Sequence, residues 1–200
     1  MKSPICLNKR AEECMEEYQR AQTQLNAQPR QQPYEDVWKP PPSEAYKLNF
    51  DAATFSDLGR TGIGAIVRNE KGEVMAAMFA CGPAVQTSDE AELLACRRAL
   101  EFAVDAGFSR LIIEGDNSNV IHDISSLEEN TSSFGNVVDD IRHLIRGLIW
   151  SEVCYIRRGG NRVAHVLAQH ARQTLDEDLY WLEDSPPPAL DALYHVLLSI

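Results

Sequence analysis

Apolar and polar residues alternate along Tyr46–Asp51 (YKLNFD), the period-two signature of a half-buried strand. Gly62–Arg68 (GIGAIVR) and Val74–Cys81 (VMAAMFAC) read as two further strands. Asn69-Glu70-Lys71-Gly72 between them has the chemistry of a short hairpin turn. Three consecutive antiparallel strands are the simplest arrangement. The period then changes. From Asp89 to about Ala106, the residues Ala91, Leu94, Ala95, Ala99 and Phe102 recur at helical spacing, with Ser88 placed to cap the start and Gly107 the end. Leu111–Glu114 (LIIE) is a short β-branched run, as expected of a buried central strand. Asn117–Leu127 and Phe134–Ile149 predict helices, the second with Val137, Val138, Ile141, Leu144, Ile145 and Leu148 on its inner stripe. Glu152–Ile156 predicts a fifth strand and Arg162–Thr174 a last helix. The order, βββαβαα or βββαβααβα, predicts an α/β fold: a mixed sheet covered by helices.

Proline and glycine divide the chain. Five of the ten prolines fall between Pro29 and Pro42, three more are Pro186 to Pro188, and all eleven glycines lie between Gly59 and Gly160. Residues 1–45 therefore read as an extension, with a helix-prone stretch at 9–27 and an extended linker at 28–42. Residues 46–175 read as the domain and 176–200 as an acidic tail. Trp38 and Trp150 could stack on bases, but packing in the linker or core is the plainer role for them.

Charge refines this division. The chain carries 19 Lys and Arg against 30 Asp and Glu, a net −11 that excludes a generally basic nucleic-acid binder. The three segments hold −1, −4 and −6 in turn, so more than half of the excess acidity sits in the last 25 residues. Within that tail Asp176-Glu177-Asp178 reads as a solvated face. Five scattered cysteines without C-x-x-C spacing predict free thiols in a reducing compartment. No apolar run approaches the ~18 residues of a membrane span, and the N-terminus lacks an apolar signal core. A soluble intracellular protein of nucleus or cytoplasm is expected, a monomer without membrane partners.

Three acidic residues sit where these elements meet. Asp51 closes the first predicted strand, Glu92 falls in the first turn of the first helix on its sheet side, and Asp116 follows LIIE. Neighbouring strand ends lie ~5 Å apart, so the three carboxylates can converge. They would then repel one another unless a cation neutralised them, and hard oxygen ligands point to Mg²⁺ or Mn²⁺. Two such ions can activate water and stabilise a leaving oxygen in phosphodiester cleavage. Taken singly, each acid has a plainer explanation: Asp116 could cap the helix after it, and Glu92 could complement a helix dipole. The joint arrangement is what carries information.

The segments KLNFDAATFSDLGRTGIGAIVRNEKGEVMAA, SDEAELLACRRAL, LIIEGDNSNVI and RRGGNRVAHVLAQHA resemble the type 1 ribonuclease H family, in particular the reverse-transcriptase-like ribonuclease H domains abundant in plant genomes. They run in family order across about residues 46–172. Asp51-Ala52-Ala53 matches the family's first aspartate motif, Ala91-Glu92-Leu93-Leu94-Ala95 its helical glutamate motif, and Asp116 its aspartate after a strand. The resemblance implies a ribonuclease H-like fold, a five-stranded mixed sheet of order 3-2-1-4-5 flanked by helices. It implies metal-dependent endonucleolytic cleavage of the RNA strand of an RNA–DNA hybrid, with Asp51, Glu92 and Asp116 holding two Mg²⁺ (or Mn²⁺) ions.

Departures from the family pattern matter equally. Its fourth acid follows Asn161 by four positions, where this chain has His165, counted here among the catalytic candidates; plant members of this type often show His there. The loop histidine of bacterial members is missing, and Arg157 and Arg158 could contact phosphate in its place. The basic handle is also missing: helix 134–149 carries only Arg142 and Arg146, after Glu128 and Glu129. The asparagine pair that reads RNA 2′-hydroxyls is Ser88-Asp89 here. Ser88, Asn117, Arg157, Arg158 and Asn161 are the nucleic-acid-binding candidates. Three functions fit: an active hybrid-specific ribonuclease, a catalytically weak or inactive nucleic-acid-binding module of the same fold, and a protein-interaction scaffold whose N-terminal extension and acidic tail bind partners. Only the first two need three mutually repelling carboxylates at one point.

Overall fold

The structure is a computed structural model and describes residues 37–126, 134–174 and 177–198. The expected helix at 9–27 lies outside the described residues. β1 (Tyr46–Phe55), β2 (Arg60–Arg68) and β3 (Val74–Gly82) form an antiparallel meander. The β2–β3 turn closes as the sequence predicts: Asn69 Oδ1 accepts from Lys71 N and Glu73 N, and Gly72 takes a φ of 78°. α1 (Ser88–Asp105) then crosses to β4 (Arg110–Gly115), which pairs parallel with β1. α2 (Ser118–Ser125) and α3 (Gly135–Gly147) precede β5 (Trp150–Tyr155), parallel to β4. α4 (Arg162–His170) ends in a 3₁₀ turn at Ala171–Gln173.

The sheet has six strands, not five. The order 3-2-1-4-5 is present, and β6 (Leu179–Leu182) adds to it antiparallel along β3, giving β5-β4-β1-β2-β3-β6. The added strand comes from the segment expected to be an acidic tail. Its LYWL run supplies apolar side chains, and Asp178 seats it: Oδ1 accepts from Cys81 N at 3.2 Å and Oδ2 accepts from Arg98 Nη2 at 3.0 Å. Asp178 is thus half-buried and paired rather than part of a solvated face. α5 (Leu190–Leu197) follows and turns Ala192, Leu193 and Val196 inward.

Strand alternation splits the core in two. Leu48, Phe50, Ala65, Val67 and Met78 pack under α1, α2 and α3. Ile66, Ala77 and Phe79 face Val163, Leu167 and Ala168 of α4 on the other side. Trp38 joins this second cluster at 1% exposure, so the folded unit begins upstream of Tyr46. Its ring lies 3.7 Å from the Arg68 guanidinium, and Lys39 O accepts from Lys47 Nζ. Burial pulls the Arg68 pKa down to about 9, against the opposing pull of Glu114, so the side chain remains a cation at neutral pH. A relay meets that charge at one nitrogen, while Nε and Nη1 are buried without hydrogen-bond partners. Arg68 Nη2 donates to Asn49 Oδ1 at 2.7 Å, Asn49 Nδ2 donates to Glu114 Oε2 at 2.9 Å, and Lys47 pairs with Glu114 Oε1 at 2.7 Å.

α1 is capped at both ends, with a one-residue correction at its start. Thr87 rather than Ser88 is the N-cap; it is extended, its hydroxyl accepts from Glu90 N, and Ser88 is already helical. At the other end Gly107, at φ 88°, donates to Val104 O while Phe108 donates to Ala103 O, which is a Schellman motif.

The glycine pair Gly62-x-Gly64 marks a close backbone approach, as its place in a strand predicts. A Cβ on Gly64 would lie within 3.0 Å of Ala164 O, Ala168 N and Leu167 Cβ, and one on Gly62 within 3.0 Å of Ala168 O. The α4 backbone therefore rests directly on β2. Gly64→Ala is expected to destabilise the fold by about 3 kcal/mol or more, because backbone atoms cannot swing aside. Gly59→Ala, in open space at φ 59°, should cost only about 1 kcal/mol. Urea denaturation of the two variants checks this; equal midpoints would refute the close approach.

Candidate active site

The register of the parallel pair brings the first two acids together. β1 and β4 are matched from Tyr46↔Leu111 to Asn49↔Glu114, so two residues further Asp116 stands beside Asp51. There the elements part. β4 ends at Gly115, whereas β1 continues against β2 to Phe55. Asp51 is thus inside its strand and not at its end, because the antiparallel ladder outruns the parallel one. The β4 side of β1 opens into a notch at this point. α1 fills one wall and offers Glu92, its fifth residue, just past the first turn. Glu92 Oε1 accepts from Ala52 N at 3.4 Å, which ties the helix to the strand beside Asp51.

One carboxylate oxygen from each of Asp51, Glu92 and Asp116 lies within 4.8 Å of the others. At that separation two ionised carboxylates repel by about 3 kcal/mol in a medium of effective dielectric ~20. Asp51 is 3% exposed and Glu92 7%, so water screens them little. Burial, and then Asp51, push the Glu92 carboxyl up to about 10. Burial and Asp51 also raise Asp116, partly opposed by Arg158 and His165. Glu92 Oε2 is buried without a hydrogen-bond partner. An orphaned buried oxygen among three hard oxygen donors fits a divalent cation, which would replace the missing partner and relieve the repulsion.

α4 supplies the remaining side. Asn161 Nδ2 donates to Phe50 O at 2.8 Å, pinning the helix start to the residue before Asp51. One turn on, His165 Nδ1 donates to Asp51 Oδ2 at 2.7 Å. His165 Nε2 lies 3.5 Å from Arg158 Nη2. Both ring nitrogens are engaged, so in this arrangement the imidazole orients Asp51. Arg157 and Arg158 are exposed on the loop before α4, with Arg158 on the site's rim.

The other candidates divide. Asn117 spends its side chain on the fold: Oδ1 accepts from Asn119 N and Val120 N as the α2 N-cap, and Nδ2 donates to Asp89 Oδ1 at 2.7 Å. Ser88 is exposed at the first turn of α1. Asp89, beside it, receives both Asn117 and Asn119 and links α1 to the loop carrying Asp116. That link escapes sequence reading, which marks Asp89 only as a departure from a motif. The cap position of Asn117, immediately after a strand and an aspartate, is the signal that could have exposed it.

A mixed sheet of order 5-4-1-2-3, helices on both faces and three carboxylates at the β1–β4 notch define a ribonuclease H-like domain. The chain belongs to the reverse transcriptase-like family, whose model matches residues 49–171, more than half of the sequence. No curated protein matches the chain. Among solved structures it is similar to ribonuclease H1 of Halobacterium salinarum (23% identity, TM-score 0.59, 64% of this chain and 98% of that one). It is also similar to the N-terminal ribonuclease H domain of a Mycobacterium tuberculosis protein (20%, 0.57, 64% and 94%). A third likeness is to LC11 ribonuclease H1 in complex with an RNA/DNA hybrid (20%, 0.55, 63% and 95%). At these identities the likeness establishes the fold.

The raised Glu92 carboxyl sets a sign for pH dependence. Between its ordinary value near 4.5 and about 10, the folded state holds a proton that the unfolded state releases. Metal-free protein should lose stability as pH rises through this window. Glu92→Gln removes the linkage and keeps the acceptor for Ala52 N. In chelator-treated buffer its melting temperature should match the parent near pH 5 and exceed it by about 3 °C or more at pH 9. Mg²⁺ should raise the parent's melting temperature at pH 9 and leave the variant's unchanged.

Proposed function

We propose that this protein is a divalent-metal-dependent nuclease that cleaves the RNA strand of RNA–DNA hybrids. The observation that carries this reading is the convergence of Asp51, Glu92 and Asp116 within 4.8 Å at the β1–β4 notch of a ribonuclease H-like sheet. These three side chains would hold two Mg²⁺ or Mn²⁺ ions. When bound, the ions would lower the pKa of an attacking water and neutralise charge on the scissile phosphate.

The chain's own residues would prepare that site. Ala52 N–H holds Glu92 by one oxygen, leaving the other buried without a hydrogen-bond partner. His165 fixes the Asp51 carboxylate, and Asn161 fixes the backbone beneath it. Arg158 and Arg157 would meet the phosphate backbone from the loop before α4. The supporting argument for hydrolysis rather than covalent catalysis is the donor set: three converging carboxylates, which suit divalent ions that activate water.

His165 favours a second reading, a hybrid-binding module of low activity. A neutral imidazole adds no negative charge where the family pattern has a fourth acid, and here its nitrogens are engaged by Asp51 and Arg158.

One assay separates the two readings. The full chain, with Mg²⁺ or Mn²⁺, is given labelled RNA–DNA hybrid, single-stranded RNA and duplex DNA. Hybrid cleavage that Asp116→Asn lowers by about a hundredfold or more supports the enzyme. Binding of the hybrid without cleavage in either metal supports the module. His165→Asp, which restores a fourth carboxylate, is expected to lower the Mg²⁺ concentration for half-maximal activity by about tenfold. Titration of activity against Mg²⁺ reads this, and an increase in that concentration would show that the imidazole's hold on Asp51 matters more than added charge.

A further inference from the structure

The outer edge of β6 and the surface beside it play no part in the site above. β6 is the last strand of the sheet, and its far edge has no strand partner among the described residues. Leu179, Tyr180 and Leu182 are 41%, 45% and 61% exposed. Glu183 N donates inward to Met75 O at 2.9 Å. By the alternation of an antiparallel pair, the amides of Tyr180 and Leu182 then point outward. Side-chain hydrogen bonds tie the strand to Arg98 of α1. Arg98 Nη2 donates to Tyr180 Oη at 2.8 Å, and Tyr180 Oη donates to Asp178 Oδ2 at 3.1 Å.

Just past the C-terminal end of β6 lies a cavity of about 500 Å³. Val74, Met75 and Leu193 give it apolar walls, and Glu73 and Glu183 give it carboxylates. An apolar channel with acidic groups suits the stem and head of a lysine or arginine. We propose that the β6 edge docks an extended segment of a partner protein, which pairs as a seventh strand and places a basic side chain in this cavity. Such strand addition takes affinity from main-chain hydrogen bonds and specificity from side-chain pockets.

Charge selects this occupant over a second copy of the chain. The apolar run of β6 is bracketed by exposed carboxylates, Glu177 before it and Glu183 and Asp184 after it, while Asp178 is already paired with Arg98. Antiparallel self-pairing would set one acidic bracket against the other, and like charges across a pair are destabilising. Edge strands are commonly protected from self-association by such flanking charge. A partner with basic residues beside an apolar, β-branched strand meets the same brackets with opposite sign.

The test uses the full chain and a fluorescein-labelled peptide of two lysines followed by alternating valine and threonine, read by fluorescence anisotropy. The peptide is expected to bind, and to lose about tenfold or more in affinity when its lysines become glutamates or when the protein carries Glu183→Lys. Amide hydrogen exchange should slow at Tyr180 and Leu182 in the complex. Failure of the lysine peptide to bind, equal binding of the glutamate peptide, or unprotected Tyr180 and Leu182 amides would each overturn the proposal. So would a concentration-dependent dimer in sedimentation velocity, which would assign the edge to a second copy. None of these outcomes depends on nuclease activity.

Discussion

Everything around the acidic site depends on how closely α4 can approach β2. At Gly62 and Gly64 there is no room even for a methyl group, because α4 main-chain atoms occupy its place. Larger residues would hold the helix off by the thickness of a side chain. Asn161 could then no longer reach Phe50 O, nor His165 the Asp51 carboxylate. Two glycines on one strand thus fix the side chain of a residue on the next, through a helix more than a hundred positions away in sequence. The constraint is steric, and its consequence is electrostatic: it sets which oxygen of Asp51 is tied to the imidazole.

The second determinant is where each strand stops. β4 pairs with β1 only to Asn49↔Glu114, two residues short of the acids, and the notch beyond leaves space between the carboxylates. Two residues back along β1 the same face is handled differently. There Lys47 pairs with Glu114 directly and Arg68 reaches it through Asn49, with Trp38 laid over the guanidinium. The two clusters show opposite solutions to buried charge on a single strand face. One mixes charges of both signs, although Arg68 Nε and Nη1 are buried without hydrogen-bond partners. The other is all acidic, with an oxygen that has no partner, and it calls for a cation from outside. The proposed two divalent ions would bring +4 against the formal −4 of residues 46–175.

Much of this was legible from sequence because it rests on local pattern. The meander, the hairpin glycine at Gly72, the αL glycine at Gly107 and the central run LIIE each follow from period and turn chemistry. Asp51, Glu92 and Asp116 were recognisable because family motifs span them in order. What escaped was non-local or relational. Trp38 looks like part of a proline-rich linker, and its burial follows from distant partners: Arg68 over its ring and the apolar cluster it joins. The bond from His165 to Asp51 depends on a helix-to-strand distance that neither residue encodes. β6 was missed because four apolar residues between acidic clusters carry too short a pattern. Its strand character comes from the free edge of β3 and from the Asp178 contacts to Cys81 and Arg98. The cap shifted from Ser88 to Thr87 because both residues can cap, and only backbone geometry decides between them.

The acidic C-terminal segment has two physical roles, and they pull in different directions. Leu179, Tyr180, Trp181 and Leu182 extend the sheet, while Ala192, Leu193 and Val196 help cover its α4 face. Covering β3 moves the open edge outward by one strand without abolishing it. The new edge is more apolar in its exposed residues than a solitary strand should be, yet it is bracketed by carboxylates. Charge placed at both ends of a short apolar edge hinders pairing with an identical edge and favours pairing with a basic one. On the proposed docking, the exposed carboxylates that flank β6 act as a filter on what can add to the sheet.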